Sequence, residues 1–399
     1  MDESNYDLGI REIPDNWWRT LYKSTLVNFE AARKLIPGKV LDSGEKQNKL
    51  AMVDVMEVYV WTMLVNSFGD VPYSEALDPN NFFPKYDDAK TIFYDLLARL
   101  DKDIATLSPA AAGFGSADLM YGGDVSGWIK FVNPLKLRMG ITISDVDAKA
   151  SSVILSAAPG AFTSNSDNAA LKYLGTPPNT NPVYVDLVQG GRNDFVPANT
   201  IVNLLNGLND PRRPLFFTTI NGVYKGGVPG IGNGYATLSH VSDKIKAADA
   251  PATIINYAEV EFILAEAVER GIAVGGTAQS HYDKAVTASI LDWGGSASDA
   301  ATYLAQPSVH YATAAGTFKQ KMGIQKYIAL YNRGFDAWVE QRRLDYPPLV
   351  APATALSAYP VRLSYPAAES NLNSTSYNAA VAKMGGTDKV TTELFWDKF

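Results

Sequence analysis

Apolar residues recur every three or four positions in two parts of this 399-residue chain, and a long irregular stretch separates the two parts. This spacing places apolar side chains on one face of an α-helix, whereas a half-buried strand would alternate apolar and polar residues. Clusters of glycine and proline end each periodic segment. The pattern therefore predicts a mainly α protein, more than about 40% helical.

Four helices are predicted in the first periodic part, between about residues 15 and 150. The first begins at Asp15, which acts as its N-cap, and ends at Pro37-Gly38. The other three cover about residues 47–68, 88–108 and 126–143, with carboxylates at the start of the third. Short connections between successive helices predict antiparallel hairpins.

The second periodic part, about residues 252–345, predicts two more helical hairpins. One helix, closed by Gly271, carries an apolar stripe, and the next has Ala278, Tyr282 and Ala285 at the small-aromatic-small spacing of a tetratricopeptide-type hairpin. A further pair covers about residues 317–332 and 335–344. About four tetratricopeptide-like hairpins with an irregular middle insertion fit a single domain over residues 1–399 better than two independent domains. The stripe consists of Val260, Ile263, Leu264, Ala267 and Val268.

The irregular middle, about residues 159–251, is rich in glycine, proline and asparagine, as in GTPPNTNP and KGGVPGIGNGY. Long helices cannot persist there, and only one short helix, about residues 198–208, is predicted. Ordered loops on a rigid scaffold often carry binding sites. We therefore predict the ligand region here.

Charge and cysteine content exclude several classes of protein. With 35 basic and 42 acidic residues the formal charge is −7, so no large positive excess exists to neutralise a phosphate backbone, and no nucleic acid partner is predicted. The chain has no cysteine, which excludes disulfides, thiolate nucleophiles and cysteine metal sites. The longest apolar run, Leu50 to Val65, is interrupted by Asp54 and Glu57 and predicts a buried core helix.

No catalytic motif is found. The three histidines lie far apart, there is no GxSxG or Walker pattern, and the glycine-rich loop fails the dinucleotide-binding register at Tyr235. Glu259 and Glu266 share a helix face and are interpreted as a solvated helix edge rather than a glycosidase pair. We therefore predict no enzyme. Oxygen-rich loops such as TSNSDN leave room for calcium, but their spacing lacks the EF-hand order, so no cofactor or metal site is predicted.

Several longer motifs occur in order over nearly the whole chain. They are NSFGDVPYSEA from Asn66, WIKFVNPLKLR from Trp128, NDPR from Asn209, YAE from Tyr257 leading into FILAEAVERG, QKYIALYNRGFDAWVEQRRLDYPPL from Gln325, and RLSYPAAESNLNSTSYNAAV from Arg362 followed by GGTDKVTTELFWD. Together they resemble the SusD/RagB-like family of nutrient-binding outer-membrane lipoproteins, in particular its second SusD-like subfamily.

The resemblance implies a helical fold with tetratricopeptide-like hairpins and a protein that covers a SusC-like TonB-dependent transporter. It also implies capture of an oligosaccharide or polysaccharide at the cell surface of the outer membrane, without chemistry. Members carry a signal peptide and a lipidated cysteine, and the sequence from Met1 shows neither. On this interpretation the lipid anchor, the only expected membrane contact, belongs to a precursor. The motif residues themselves, including Arg342 and Arg343, are expected to be structural.

The candidate ligand residues lie in the loop-rich middle. Planar amide, guanidinium and carboxylate groups could hold vicinal hydroxyls by bidentate hydrogen bonds, while aromatic rings could stack on a sugar. A turn-forming and packing role is the competing interpretation of each. Phe82 and Phe83, in the loop after GDVPY, mark an alternative face. The predicted ligand residues are Asn181, Tyr184, Arg192, Asn193, Asp194, Phe195, Tyr224 and Tyr235.

Three alternatives to glycan capture stay open on the sequence. Peptide capture in the same role is the nearest, because Arg192 or Asp194 could pair with charged chain termini. A glycoside hydrolase on a helical scaffold and a pure protein-interaction repeat are further alternatives. The absence of nucleophile and metal motifs and the aromatic middle region favour glycan capture.

Overall fold

The computed structural model describes residues 2–398, and helices make up 53% of the chain. The prediction of a mainly α protein with tetratricopeptide-like helical hairpins is confirmed. The chain divides into two compact units. The first unit comprises residues 2–147 together with 353–398, and the second unit comprises residues 148–352. A single domain over the whole chain remains a prediction.

The first unit begins with helices that pack on their neighbours in sequence. The long helix α3 contacts α2, α4 and α5, so it lies at the centre of the unit. A two-residue antiparallel pair, β1 (Val71–Pro72) with β2 (Tyr86–Asp87), closes the loop between α3 and α4. The helices are α1 (Ile13–Arg19), α2 (Val27–Lys39), α3 (Ser43–Phe68), α4 (Ala89–Thr106) and α5 (Val125–Thr142).

Two predicted helix starts differ from the structure. α1 begins at Ile13 and not after an N-cap at Asp15. Pro14 suits the first turn of a helix, because N–H groups there have no partner within the helix, so the missing N–H of proline costs nothing, and because its fixed φ is helical. A π-helical turn, Thr20–Leu26, then joins α1 to α2. α3 begins a turn earlier than predicted, since the Asp42 side chain accepts a hydrogen bond from the Glu45 N–H at 2.8 Å.

α3 is long and apolar enough to span a membrane by length and composition, but 78% of its most apolar window is buried inside the protein. This agrees with a core helix. Its two acidic interruptions are both paired: the Arg99 guanidinium donates to Asp54 at 2.8 Å and to Glu57 at 2.7 Å, and Arg33 donates to the same two carboxylates. The charges therefore tie α2 and α4 to α3.

The second unit contains the two hairpins predicted from the second periodic part. α10 packs on α11, and α13 packs on α14. Tyr282 and Ala285 of α11 are buried beside Phe262 of α10, as the small-aromatic-small spacing predicts. The helices are α6 (Lys149–Ala157), α7 (Pro182–Tyr184), α8 (Asn199–Gly207), α9 (Arg213–Phe216), α10 (Tyr257–Glu269), α11 (Ala278–Asp292), α12 (Ala297–Leu304), α13 (Phe318–Ala329) and α14 (Gly334–Leu344).

The middle of the chain is irregular, as predicted, with α8 as its longest helix. β3 (Ala169–Leu171) pairs antiparallel with β4 (Ala252–Ile255), so the two ends of the loop-rich region are held together. Asn168 strengthens this closure, because its Oδ1 accepts a hydrogen bond from the Tyr257 N–H at 2.8 Å, at the start of α10.

The C-terminal segment returns to the first unit. The buried Arg362 guanidinium donates to the Phe68 carbonyl at 3.0 Å, at the end of α3, and the Leu363 N–H donates to the Ser67 carbonyl at 2.7 Å. Tyr365 reaches the Asp70 carbonyl at 2.8 Å. The segment therefore completes the unit that residues 2–147 begin; its helices are α15 (Ala367–Leu372) and α16 (Ser374–Lys383).

Candidate functional site

Three backbone segments of the loop-rich region meet in the second unit. The Asn199 N–H donates to the Gly227 carbonyl at 2.7 Å, and the Gly227 N–H donates to the Pro197 carbonyl at 2.8 Å. Lys225 and Ser239 form the next connection, with the Ser239 N–H donating to the Lys225 carbonyl at 2.8 Å. The segments that carry Phe195, Tyr224 and Tyr235 are thus joined by hydrogen bonds, although long stretches of loop separate them in sequence.

Arg192, Asp194 and Phe195 form one exposed cluster. The Arg192 guanidinium donates two hydrogen bonds to the Asp194 carboxylate, at 3.0 and 2.7 Å, and lies over the Phe195 ring at 4.3 Å from its centroid. The hydrogen bonds from Arg192 lower the pKa of Asp194. Phe195 remains 47% exposed. The cluster offers a charged edge and an apolar ring together, which is the combination expected for a sugar contact.

Asn181 and Tyr184 lie at the two ends of α7. Asn181 is buried and caps this helix: its Oδ1 accepts a hydrogen bond from the Val183 N–H at 2.7 Å, and its amide nitrogen donates to the Ala250 carbonyl at 2.6 Å. Both polar atoms of its side chain therefore have hydrogen-bond partners within the protein. Tyr184 is half-buried, and Asn193 is exposed. Their contact with a ligand remains a prediction.

Tyr224 and Tyr235 are both half-buried and packed on one side. Arg213 lies over the Tyr224 ring at 5.6 Å from its centroid, and the Tyr224 carbonyl accepts from Asn206 at 3.1 Å. Tyr235 stacks on His240 with a centroid separation of 3.7 Å and an interplanar angle of 12°. Each ring is held in place by a neighbour, so each can present a fixed apolar surface.

The first unit carries a second aromatic surface, in the loop after β1. Phe82 and Phe83 are 77% and 66% exposed. The loop is held by Glu75, whose carboxylate accepts from the Lys85 N–H at 3.1 Å and from the Asn81 amide at 3.2 Å. Two adjacent phenylalanines in a polar loop are the sequence signal for such a surface. This loop is the alternative ligand face, after the middle region.

The interpretation of Glu259 and Glu266 as a solvated helix edge is wrong. Both are buried: Glu259 accepts from Arg333 at 2.6 Å, and Glu266 accepts from Arg343 at 2.6 Å. Burial by itself would raise the pKa of Glu266, but Arg343, Arg270 and Lys326 outweigh it and lower that pKa to about 2. Glu266 is therefore an ionised structural anchor and cannot supply a proton near neutral pH.

The loop discussed for calcium is closed by its own hydrogen bonds. The Asp167 carboxylate accepts from the Thr163 N–H at 2.8 Å and from the Ser164 N–H at 3.2 Å. Within residues 2–398, no group of three or more His, Asp or Glu side chains is arranged to hold a metal ion. The expectation of no cofactor remains a prediction.

The family motifs are structural where their contacts are visible. In NDPR, the fully buried Arg212 donates to Asp210 at 2.6 Å, to Ser289 at 2.9 Å and to Gln325 at 2.9 Å. Arg343 pairs with Glu266 and with Glu340, as expected for a carboxylate partner. These residues join helices of the second unit to one another.

A family model described as starch-binding and associating with the outer membrane, SusD-like, matches residues 1–366. The chain therefore belongs to the SusD-like family. No curated protein matches the sequence.

Solved structures of relatives have the same fold. A chitin-binding protein is 29% identical, with a TM-score of 0.82 over 96% of this chain and 88% of the other. A chitin-binding SusD homologue from Flavobacterium johnsoniae is 25% identical, with a TM-score of 0.84 over 96% and 86%. A SusD homologue from Bacteroides uniformis is 26% identical, with a TM-score of 0.82 over 94% and 85%.

Proposed function

We propose that this protein captures a neutral glycan without chemistry at the cell surface and passes it to a SusC-like TonB-dependent transporter in the outer membrane. The observation that carries the proposal is the exposed Arg192–Asp194–Phe195 cluster on the hydrogen-bonded loops of a SusD-like protein. Chitin binding by two relatives and the starch-binding description of the family support a glycan as the ligand. A lipid anchor on a precursor would hold the protein at the outer membrane.

Capture without chemistry is supported by the state of the acidic helix residues. Glu259 and Glu266 are both engaged by buried arginines, and relatives are described as binding proteins. An inverting or retaining glycosidase needs one carboxyl group that holds a proton at working pH. A low pKa at Glu266 is the opposite of that requirement.

The proposed site should bind weakly and release readily. A stacked ring contributes about 1 kcal/mol, and a hydrogen bond to a charged group contributes about 1.5–3 kcal/mol. Displaced water and lost ligand freedom offset much of this gain. We expect dissociation constants between micromolar and millimolar, which suit capture followed by transfer.

Glycan-array binding, combined with a reducing-sugar release assay, tests the function. We expect binding of at least one neutral glycan and no release of reducing ends. Tyr184→Ala and Asp194→Ala should each weaken binding of that glycan about tenfold in calorimetry, with an unchanged melting temperature, because loop side chains contribute little to the helical core. Asp243→Ala, which removes another highly exposed carboxylate of the same unit, is the matched control.

Two outcomes would redirect the proposal. If both variants bind like the wild type while Phe82→Ala or Phe83→Ala abolishes binding, the glycan contacts the first unit. If the protein binds no glycan on the array and binds peptides through Arg192 or Asp194, the nutrient is a peptide.

A further inference from the structure

The dipeptide Asn-Gly occurs three times in the chain, at Asn206, Asn221 and Asn233, always within the loop-rich region. This pair is chemically unstable, because glycine has no Cβ to shield its backbone nitrogen from the side-chain amide carbon of the preceding asparagine. Attack by that nitrogen on Cγ closes a five-membered succinimide ring. The reaction is slow wherever other contacts keep the two atoms apart, and these contacts differ greatly among the three pairs.

Asn206 is held on two sides. It lies half-buried in α8, where its amide nitrogen donates to the Tyr224 carbonyl at 3.1 Å and its Oδ1 accepts from Arg213 at 3.3 Å. Rotating this side chain towards the Gly207 nitrogen would break both hydrogen bonds and disrupt the last turn of the helix. The fold therefore protects Asn206.

Asn233 is exposed, but its side chain is fixed by three hydrogen bonds. Its Oδ1 accepts from the Val228 N–H at 2.9 Å, and its amide nitrogen donates to the carbonyls of Val228 and Ile231, each at 2.9 Å. Ring closure with Gly234 would remove all three bonds. Asn233 is therefore protected as well.

Asn221 and Gly222 form the tip of a two-residue turn. Ile220 and Val223 exchange backbone hydrogen bonds at 2.9 and 3.1 Å, and the tip residues have φ values of 51° and 78°, as in a type I′ hairpin turn. Both tip residues are exposed, and open space surrounds the position of a Cβ on Gly222.

The turn tip has few contacts that oppose the reaction. Among residues 2–398, neither the Asn221 side chain nor the Gly222 N–H has a hydrogen-bond partner. The Gly222 nitrogen must rotate towards Asn221 Cγ, which opens the turn and breaks the two hydrogen bonds between Ile220 and Val223. Exposed loops with few buried contacts open locally at a low cost in free energy. Asn221 is therefore the most reactive of the three asparagines in the folded chain.

We propose that Asn221 is a site of spontaneous deamidation in the folded protein. The Gly222 nitrogen forms a bond to Asn221 Cγ, the bond from Cγ to the side-chain nitrogen breaks, and ammonia leaves with the proton from Gly222. Water then opens the ring at one of its two carbonyl carbons. One opening gives aspartate, and the other gives isoaspartate, in which the backbone passes through Cβ and is one atom longer.

Both products change the loop that carries Tyr224. Each adds a negative charge three residues before that ring. The longer backbone of isoaspartate also disturbs the pairing of Ile220 with Val223, because the length of a hairpin loop fixes the register of its strands. The modification depends on the chemistry of the chain itself and is independent of which ligand the protein captures.

Peptide mapping by mass spectrometry tests the proposal on the full chain, kept folded at pH 8 and compared with the same chain in urea. In urea we expect the three asparagines to react at similar rates, since each precedes glycine. In the folded chain Asn221 should react at least about tenfold faster than Asn206 and Asn233, a ratio that needs a difference of only about 1.4 kcal/mol in activation free energy. Circular dichroism verifies that the incubated chain stays folded.

Ammonia release provides a second measurement. Asn221→Gly suits the positive φ values of the turn and removes the reacting side chain, so it should abolish the fast release from the folded chain. Asn371→Ala, at an exposed asparagine that precedes leucine, is the matched control and should release ammonia like the wild type.

Three results would overturn the proposal. One is loss of the amide of Asn206 or Asn233 in the folded chain at more than about a tenth of the Asn221 rate. Another is a folded chain that keeps the Asn221 amide after about ten half-lives of the same residue in urea. The third is ammonia release from folded Asn221→Gly as fast as from the wild type.

Discussion

Glu266 shows how a buried charge can be structural rather than catalytic. It lies between Arg343 of α14 and Arg270, the residue that directly follows its own helix, and Glu340 shares Arg343. Removing one partner of a buried ion pair leaves the other charge without compensation, which costs far more than losing a surface pair.

Glu266→Gln should therefore lower the free energy of unfolding by about 3–5 kcal/mol at neutral pH. The folded-state pKa lies below the ordinary glutamate value of 4.5, so the stabilising contribution is present above that pH and is lost as pH falls towards about 2. Urea unfolding should show a smaller difference in free energy of unfolding between wild type and Glu266→Gln at pH 3 than at pH 7. Glu269→Gln, at an exposed position of the same helix, should have little effect. Oligosaccharide turnover by the wild type that is lost in Glu266→Gln would contradict the non-enzymatic function.

Asp103 presents the opposite electrostatic situation, near the end of α4. Burial and the neighbouring Asp54 carboxylate raise its pKa to about 9, so it carries a proton at neutral pH. In the unfolded chain its pKa is close to the ordinary aspartate value of 3.8. The folded state therefore binds the extra proton, and stability falls as pH rises from about 4 towards 9.

Asp103→Asn should remove this pH dependence, because the amide is neutral at every pH. One pKa unit corresponds to about 1.4 kcal/mol. At pH 8 the free energy of unfolding of the variant should therefore exceed that of the wild type by at least about 1.4 kcal/mol. Chemical denaturation between pH 5 and pH 9 measures the difference. If the difference in free energy of unfolding between variant and wild type stays constant over this pH range, Asp103 is ionised in the folded protein.

Among the helices, α3 requires a glycine at its C-terminal end. Gly69 ends the helix with φ +85°, a conformation that residues with a Cβ rarely adopt, and an added Cβ would lie 3.2 Å from Leu394 Cδ2. Gly69→Ala should destabilise the protein by about 1–3 kcal/mol. Gly38→Ala, inside α2 with open space at its Cβ, should instead stabilise it by up to about 1 kcal/mol. Melting temperatures of the two variants should move in opposite directions; a shift of the same sign would contradict this account of the α3 stop.

The periodicity of the sequence was sufficient to predict most of the helices, but it could not predict the ion pairs between them. α3, α4, α5, α10, α11, α13 and α14 all lie close to the predicted ranges, because each has an apolar stripe and a glycine, proline or capping residue near an end. α12 was missed, since eight residues give too little periodicity. The buried arginines that pair with Glu259 and Glu266, Arg333 and Arg343, lie 74 and 77 residues away, and the nearby Arg270 alone does not distinguish a buried carboxylate from an exposed i, i+4 pair.

The candidate site was predictable in composition but not in arrangement. Aromatic and planar polar residues in the middle region indicated a recognition surface. That Asn181 would cap α7, or that Arg192 would pair with Asp194 while lying over the exposed Phe195 ring, depends on the course of the loops. Loop conformation follows from a few specific hydrogen bonds rather than from a repeated pattern.

For the whole molecule, the buried position of α3 predicts behaviour at membranes. With a net charge of −7 and its most apolar helix inside the first unit, the chain without lipid should remain soluble and monomeric. Size-exclusion chromatography and flotation with zwitterionic vesicles measure this. Co-flotation of the native protein with the vesicles would mean that α3, or another apolar surface, becomes accessible.

The division of the first unit into two stretches of sequence affects the order in which the chain can mature. Residues 148–352 form one uninterrupted stretch, so all contacts within the second unit are available once residue 352 has been synthesised. Residues 2–147 emerge earlier but must wait for Arg362, Leu363 and Tyr365 to pair the carbonyl groups around the end of α3. Until those three residues are synthesised, the carbonyl groups of Ser67, Phe68 and Asp70 lack these donors, so the part of the protein that is begun first is completed last.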